Sequence, residues 1–218
     1  VAIEAAIGDW IAFIDDDEIA ASVWLSAYLQ TCQDHPADGY FGPVLSVVYD
    51  KDPGWLTPEL LFQRQRFATG TKLDFRQTRT GNAFLRASAL QKFRLNPAYG
   101  LTGGSDIELF SRMLDAGHAF RWCDEAVVEE VVISNRLTLR WAWQRAFRGG
   151  LVYSNVQKSR SPGLTASAKR FTRATIAALL FILILPLDLL RGREKAFQRS
   201  LRISTQFGHI WSVFNLNY

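Results

Sequence analysis

Four consecutive acidic side chains could carry chemistry near the start of this sequence, where Asp15, Asp16, Asp17 and Glu18 follow an apolar run. Like charges repel, so carboxylates are grouped in this way where a cation normally lies among them. Their hard oxygen atoms suit Mg²⁺ or Mn²⁺, which keep several waters and share their remaining positions with substrate phosphates. The cluster therefore predicts a site for Mg²⁺ or Mn²⁺ and a phosphate-bearing ligand.

The apolar run before the cluster, Trp10–Ile14, is short and rich in β-forming residues, which predicts a buried strand of an α/β sheet. In open α/β sheets, ligands bind at the carboxyl ends of strands. Apolar residues at helical spacing over 19–29 predict a helix that begins at the cluster, with Glu18 in its first turn. An alternative stays open, because Asp16 or Asp17 could merely cap that helix.

Two other functions of clustered aspartates do not fit. Prenyl-transfer enzymes use a DDxxD motif within a helix, whereas here the fifth residue is Ile19 and the cluster follows a strand. Phosphatases of the haloacid dehalogenase type need a Gly/Thr turn after their aspartates, and Glu18-Ile19-Ala20 does not supply one.

The chain has 218 residues and is 48% hydrophobic, enough for one sizeable domain with or without an appendage. Residues 1–135 carry 11 Lys/Arg against 19 Asp/Glu, whereas 136–218 carry 14 against 2. This asymmetry indicates carboxylate or cation chemistry in the first part and an anionic partner for the second. The two cysteines, Cys32 and Cys123, lie far apart, so neither a disulfide framework nor a zinc site is expected.

Further elements follow from periodicity, caps and turn residues. They are strands over 40–49, 82–85, 118–123 and 126–133, and helices over 59–67, 87–93, from Ser105 or Asp106 to Gly117, and 138–149.

The tail from 159 differs in kind, so we expect two domains, 1–158 and 159–218. Its apolar stretch Ala174–Leu187 lies between Arg/Lys clusters, and as a helix it reaches only ~21 Å against about 30 Å of hydrocarbon. A buried core helix is the alternative, but the flanking cations favour a membrane surface or a re-entrant segment over a full span. Nucleic acid is not an expected partner, because the cations flank an aliphatic run instead of alternating with exposed aromatics.

Several segments together resemble family 2 glycosyltransferases with the GT-A fold, and in particular the bacterial succinoglycan type. The strand and DxD motif of that family are similar to GDWIAFIDDDE at 8–18. Its later motifs are similar, in the same order, to TGNAFLRASAL (80–90), GLTGGSDIELFSRMLDAG (100–117) and VVEEVVISNRLTLRWAWQRAFRGG (127–150). The resemblance covers roughly residues 1–150 and implies a Rossmann-like α/β sheet with flanking helices.

What the resemblance implies is metal-dependent transfer of a sugar from a nucleotide-diphosphate sugar, expected to be a UDP-sugar, with inversion. Asp15 would contact the nucleoside and share the metal with Asp17, while Asp16 would assist either. A cation beside the diphosphate stabilises the negative charge that the leaving group gathers. Asn82 is a further candidate for the donor site, although in an unknown protein such a residue more often ends a strand.

The resemblance also implies that Asp106 is the general base that deprotonates the acceptor hydroxyl. Without the family, Asp106 would be taken for a helix cap. The family usually has Glu at position 105, and Ser105 puts the rate or the acceptor type in question. Gly103 and Gly104 would let the backbone approach the acceptor closely and belong to the candidate nucleotide-sugar site, with an ordinary flexible loop as the alternative.

Arg145 and Arg148 match family arginines that neutralise a diphosphate or a lipid-linked acceptor, with a solvated basic face as the alternative. The Q-x-x-R-W signature of processive members is missing, so we expect a transferase that adds one sugar per visit rather than a polymer synthase. The resemblance implies exopolysaccharide or surface-glycan synthesis at the cytoplasmic face of the bacterial inner membrane, with a saccharide or polyprenyl-linked acceptor. Glu129 and Glu130 resemble a family glutamate to which we assign no role.

A GT-A domain opens with strands that build the nucleotide pocket, whereas this chain enters near the DxD strand. We therefore expect an N-terminally truncated domain that shows no transfer by itself. The competing hypothesis is a non-catalytic, membrane-peripheral module whose acidic part binds a basic partner and whose cationic tail binds anionic lipid.

Overall fold

A computed structural model describes residues 2–49, 54–62, 64–100 and 103–214. Two β-sheets with flanking helices confirm the α/β class and are consistent with the GT-A fold. The strands are β1 (Trp10–Ile14), β2 (Glu18–Ala20), β3 (Gly39–Phe41), β4 (Val44–Val47), β5 (Asn82–Arg86), β6 (Phe120–Trp122) and β7 (Val128–Val131). The α-helices are α1 (Ala2–Ala5), α2 (Trp24–Asp34), α3 (Pro58–Phe62), α4 (Ala87–Gln91), α5 (Ser105–Asp115), α6 (Leu139–Arg160), α7 (Leu164–Leu190) and α8 (Arg193–Phe214).

The first sheet has the strand order β1-β5-β3-β6. Strand β5 is antiparallel to β1 and β3, and β3 is parallel to β6, so β1, β3 and β6 run in one direction. Their carboxyl ends, and with them residue Asp15, therefore share one edge of the sheet. The second sheet, β2-β7-β4, pairs β2 antiparallel and β4 parallel to β7.

Aromatic rings fill the core beneath the first sheet. Phe110 of α5 meets Phe41 and Phe120 edge-on, with ring centroids 4.9 and 5.6 Å away, and Met113 of the same helix is fully buried. Helix α5 is thus fixed to β3 and β6 by its apolar face, and Gly117, with φ +91°, ends it where the sequence predicts.

Two of the predicted elements are wrong around residues 15–49. The segment after the acidic cluster forms the short strand β2, because its backbone pairs with β7, and the helix begins only at Trp24. Glu18 is therefore a strand residue, and Asp16 and Asp17 cap no helix, since Val23 occupies the N-cap position of α2. The single strand predicted over 40–49 is two strands in different sheets, separated by Gly42 and Pro43.

The chain folds into two compact units. The first comprises Val1–Asp50, Phe62–Pro97 and Ser105–Val132, and the second comprises Lys51–Leu61, Ala98–Gly104 and Ile133–Tyr218. Helix α6 begins after the capping residue Thr138, as the sequence predicts, but runs to Arg160 and so crosses the predicted domain boundary at 158.

In the second unit, α8 packs against both α6 and α7. Where α8 meets α6, two glycines bring the helix backbones together. A Cβ at Gly150 would overlap the carbonyl oxygen of Thr205, and one at Gly208 would overlap that of Phe147. Only residues without a side chain permit this approach.

Candidate active site

The acidic cluster forms a tight turn between β1 and β2. The backbone N–H of Glu18 donates to the Asp15 carbonyl at 3.2 Å, and the Asp15 N–H donates back to Glu18 Oε2 at 3.1 Å. Asp16 and Asp17 stand at the tip of this turn, and the side chains of 15–17 are exposed. Three carboxylates of the turn are thus exposed to solvent. The fourth, Glu18, stabilises the turn by its hydrogen bond to the Asp15 backbone.

Gly81 makes room for two of these carboxylates. A Cβ built on Gly81 would lie 2.9 Å from Asp15 Oδ2 and 2.9 Å from Glu18 Oε1, closer than carbon and oxygen normally approach. Gly81 precedes β5, whose residue Asn82 is paired with Ile14 at the end of β1. The antiparallel register therefore places a residue without a side chain directly beneath the turn.

A buried charged group lies behind the turn. Glu130 of β7 is 7% exposed, stands opposite Glu18 in the β2–β7 register, and forms an ion pair with Arg64 at 3.4 Å. Asp15 is exposed overall, but its carboxylate is partly desolvated at the turn. This desolvation, assisted by the charge of Asp17 and of other nearby carboxylates, raises the pKa of Asp15, and Arg64 opposes this. Burial is also the largest cause that raises the pKa of Glu18, to about 7. A cation bound among these carboxylates would reduce their mutual repulsion.

The Asn82 side chain has a structural role in the core, which does not support its prediction as a donor-site residue. Its Oδ1 accepts from Trp24 Nε1 at 2.8 Å and from Tyr28 OH at 2.6 Å. Its Nδ2 donates to the carbonyl oxygens of Pro43 at 3.0 Å and Ala126 at 2.7 Å. The side chain is fully buried and all four of its hydrogen bonds are made, so no capacity is left for a ligand.

Asp106 lies in the first turn of α5 and is half-buried, with its Oδ1 accepting from the backbone N–H of Ile107 at 2.8 Å. The other acid of that turn, Glu108, is 8% exposed and forms a two-point ion pair with Arg112, at 2.7 and 3.0 Å. Arg112 donates in addition to the Arg94 carbonyl at 2.6 Å. Glu108 is thus engaged within the fold by an arginine, whereas Asp106 accepts from the backbone of its own helix turn.

Four predicted residues belong to the second unit. Gly103 and Gly104 have φ of +82° and +88°, a backbone conformation that favours glycine. A Cβ on Gly104 would in addition overlap the Val152 side chain of α6, so the close packing is by itself sufficient to require glycine at this position. The Arg145 guanidinium lies 5.1 Å from the Trp141 ring, and Arg148 borders a groove on α6.

Among the residues that the structure describes, no three His, Cys, Asp or Glu side chains are arranged to hold a metal ion by themselves. The donor set at the turn is nevertheless the chemistry that Mg²⁺ accepts, since this ion commonly uses one or two carboxylates together with substrate phosphates and water.

Sequence reasoning did not identify Gly81 or Arg64 as part of this site. Gly81 stands beside a residue that was singled out, Asn82, and its position before a strand paired with the DxD strand is a usable signal. Arg64 lies 66 residues from Glu130 in the chain, and only the folded structure brings the two together.

The sequence of this region matches a known family model, described as Glycosyl transferase family 2, over residues 1–93. Residues 1–93 therefore carry sequence of glycosyl transferase family 2. The match contains the acidic turn, Gly81 and Arg64, and it ends before Asp106.

A curated relative extends the similarity beyond the family model. The succinoglycan biosynthesis protein ExoM of Rhizobium meliloti (strain 1021) is 31% identical over 188 residues, which is 82% of this chain. The chain spans 60% of the length of that relative.

Proposed function

We propose that this protein transfers a sugar from a nucleotide-diphosphate sugar to a saccharide or lipid-linked acceptor in bacterial exopolysaccharide synthesis. The observation that carries the proposal is the acidic turn at the carboxyl edge of β1, within a family 2 glycosyltransferase sequence. The similarity to a protein of succinoglycan biosynthesis supports the exopolysaccharide context.

In this proposal the turn binds the diphosphate end of the donor. Asp17 and Asp15 would hold Mg²⁺ or Mn²⁺, whose charge stabilises the departing diphosphate. Asp15 also contacts the nucleoside of a UDP-sugar, and Asp16 assists at the tip of the turn. Glu18 supports these residues by accepting a hydrogen bond from the backbone of the turn, and Gly81 leaves space for the carboxylates of Asp15 and Glu18.

Asp106 is proposed as the general base. Helix α5 leads into β6 through a short reversal at 116–119, so its first turn faces the same sheet edge as the end of β1. The Asp106 carboxylate takes the proton of an acceptor hydroxyl, and that oxygen bonds to the anomeric carbon. The bond from this carbon to the diphosphate oxygen breaks, and the nucleoside diphosphate leaves with the electron pair. A single displacement of this kind inverts the anomeric configuration. The missing Q-x-x-R-W signature supports the addition of one sugar per visit.

Membrane association of helix α7 is part of the proposal. Among the described residues one helix, Leu164–Leu190, is long and apolar enough to cross a membrane, and only 17% of its most apolar window is buried. A core helix of a soluble protein would be mostly buried. Exposed apolar side chains form a stripe along one face of α7, mostly three to four residues apart. They are Ile176, Leu179, Leu180, Leu183, Leu187 and Leu190.

Such a stripe fits the hydrocarbon boundary of a bilayer. Lys169, Arg170 and Arg173 before it, with Arg191 and Arg193 after it, fit the headgroup layer. We therefore propose that the second unit attaches the enzyme to the cytoplasmic face of the inner membrane, where nucleotide sugars are available.

Transfer is tested with the full-length gene product, UDP-sugars, Mn²⁺ and lipid-diphosphate saccharide acceptors. Asp106→Asn is expected to abolish transfer while UDP binding in the presence of Mn²⁺ persists, because the base acts only on the acceptor. Asp17→Asn is expected to weaken both. A product that forms equally well with both variants, or without any divalent cation, would overturn the mechanism.

A further inference from the structure

An open groove lies along α6 and α8 in the second unit. Its volume is about 630 Å³, and Trp143, Gln144, Phe147, Arg148 and Ser204 line it. The groove combines two aromatic rings with a guanidinium, an amide and a hydroxyl. Pockets of this size and mixed lining are typical of sites for small molecules with an apolar body and a polar end.

The aromatic wall of the groove is held in place although it faces solvent. Trp143 is 47% exposed, yet its indole Nε1 donates to Ser200 Oγ at 2.9 Å. Ser204 Oγ donates to the backbone carbonyl of Trp143 at 2.8 Å. These two bonds tie α6 to α8 at the groove, so the Trp143 ring offers a fixed apolar surface at a low entropic cost of binding.

Two cations on α6 lack protein partners in the part of the chain that the structure describes. Arg148 is exposed there and forms no hydrogen bond or ion pair with the described residues, and the same holds for Arg140, two helical turns before it. Arg145 differs, because it lies over the Trp141 ring. A guanidinium with free donors next to an apolar wall suits a phosphate carried on an apolar chain.

The charge of the C-terminal segment of this unit acts in the same direction. Residues 133–214 contain 14 Lys/Arg and only two acids, Asp188 and Glu194. Asp188 is engaged by Arg199 at 2.7 Å and does not offset the cations near the groove. The surplus of positive charge attracts anions to this surface.

We propose that this groove binds a single anionic phospholipid, with the phosphate on Arg148 and the acyl chain along Trp143 and Phe147. The proposal rests on the membrane association inferred for α7, which brings bilayer lipid to this unit, and it does not depend on sugar transfer. A water-soluble phosphate would leave the aromatic wall without a function, and a zwitterionic lipid would place a second cation near Arg148.

The test measures binding of a short-chain lipid, dihexanoyl phosphatidylglycerol, below its micelle concentration by isothermal titration calorimetry. Loss of one cation near a lipid surface corresponds to about fivefold in affinity, and loss of a direct phosphate contact to more. We expect Arg148→Gln to weaken binding at least fivefold. Arg202→Gln is the matched control, because it removes an exposed arginine of α8 that does not line the groove, and it is expected to change the affinity less than twofold.

Three further ligands show which part of the phospholipid is responsible for binding. Glycerol phosphate tests phosphate alone, dihexanoyl phosphatidylcholine tests the chain without net charge, and UDP tests a donor role of Arg148. We expect all three to bind at least tenfold more weakly than phosphatidylglycerol, and Trp143→Ala to weaken phosphatidylglycerol binding with helix content retained by circular dichroism.

Equal losses in Arg148→Gln and Arg202→Gln would contradict the proposal and indicate a diffuse basic surface. Glycerol phosphate binding as tight as the lipid would also overturn it. So would an Arg148→Gln protein that binds UDP more weakly but phosphatidylglycerol as before. Flotation of the same variants with phosphatidylglycerol vesicles and phosphatidylcholine vesicles must show the same order of loss, or the groove is not the lipid site.

Discussion

Asp188 and Arg199 form an ion pair, 2.7 Å long, that joins the C-terminal part of α7 to α8. Asp188 is 4% exposed and stands in a helix that is otherwise apolar from Ile176 onward. The Arg199 guanidinium also lies 5.2 Å from the ring of Phe181, which precedes Asp188 on α7 by two helical turns. Arg199 therefore holds one face of α7 against α8. The exposed apolar stripe from Ile176 to Leu190 lies on another face of α7.

Removal of one partner from this pair is expected to destabilise the second unit. Asp188→Ala leaves Arg199 without its buried carboxylate, and breaking a buried pair in this way costs about 3–5 kcal/mol. Chemical denaturation followed by circular dichroism measures the loss. The double variant Asp188→Leu/Arg199→Leu is the control and is expected to recover most of it, because no charge is left unpaired. A double variant as unstable as Asp188→Ala would refute this account of the pair.

Adjacent glycines on α6 are expected to respond oppositely to the same substitution. Gly150→Ala forces a Cβ against the Thr205 carbonyl of α8, and overpacking of this kind costs about 1–3 kcal/mol or more. At Gly149 a Cβ meets nothing within 4 Å, and alanine is favoured over glycine in a helix by about 1 kcal/mol. Free energies of unfolding that fall equally in both variants would show that α6 and α8 do not cross as described.

The substitution Gly81→Ala tests the space beneath the acidic turn. The new methyl group competes with the Asp15 and Glu18 carboxylates, so we expect the turn to shift and kcat/KM for the donor to fall at least about tenfold, the effect of losing roughly 1.4 kcal/mol of transition-state stabilisation. The acceptor KM is expected to stay within twofold. Gly149→Ala is the control for a glycine remote from the turn, and unchanged donor kinetics in Gly81→Ala would remove Gly81 from the site.

The raised pKa of Glu18 predicts a pH dependence of stability. Burial raises this pKa from 4.5 to about 7, so the folded state prefers the protonated form. The resulting stability is fully present below pH 4.5 and is lost as the pH rises through about 7. Glu18→Gln imitates the protonated group and still accepts from the Asp15 N–H.

We therefore expect the free energy of unfolding of Glu18→Gln to gain on the wild type between about pH 5 and pH 8. Urea titrations at several pH values measure the difference, and Glu18→Ala controls for loss of the turn bond. A difference that is constant over this range would contradict the raised pKa.

The local sequence pattern was sufficient to predict those helices and strands whose own residues show an apolar period or a capping residue. The β1 run, the strand from Asn82, the amphipathic helix from Ser105 and the Thr138 cap all appear in the structure where the sequence indicates. Strand β2 was missed because three residues, Glu18–Ala20, contain no period of their own and form a strand only through pairing with β7. The extension of α6 to Arg160 likewise depends on packing against α8, which no window of the α6 sequence contains.

The residue types of the acidic turn predict its chemistry, but the contacts that hold the turn in place could not be predicted from them. Three exposed aspartates at a strand end are visible in the sequence, whereas the Arg64–Glu130 pair requires the fold. Asn82 shows the converse, since a polar residue at the edge of the site saturates its bonds in the core. A residue type therefore indicates a capacity, and the neighbours determine whether it is available to a ligand.

The most direct test of the central claim is sugar transfer by the full-length gene product, followed by mass spectrometry of the acceptor with Mn²⁺ and a set of UDP-sugars. Transfer is expected for the wild type, and a loss of at least about a hundredfold for both Asp17→Asn and Asp106→Asn, with chelation abolishing it, because metal and base each contribute several kcal/mol to the transition state. Gly149→Ala is expected to retain activity. Transfer at the wild-type rate by either aspartate variant, or in the presence of a chelator, would contradict the account.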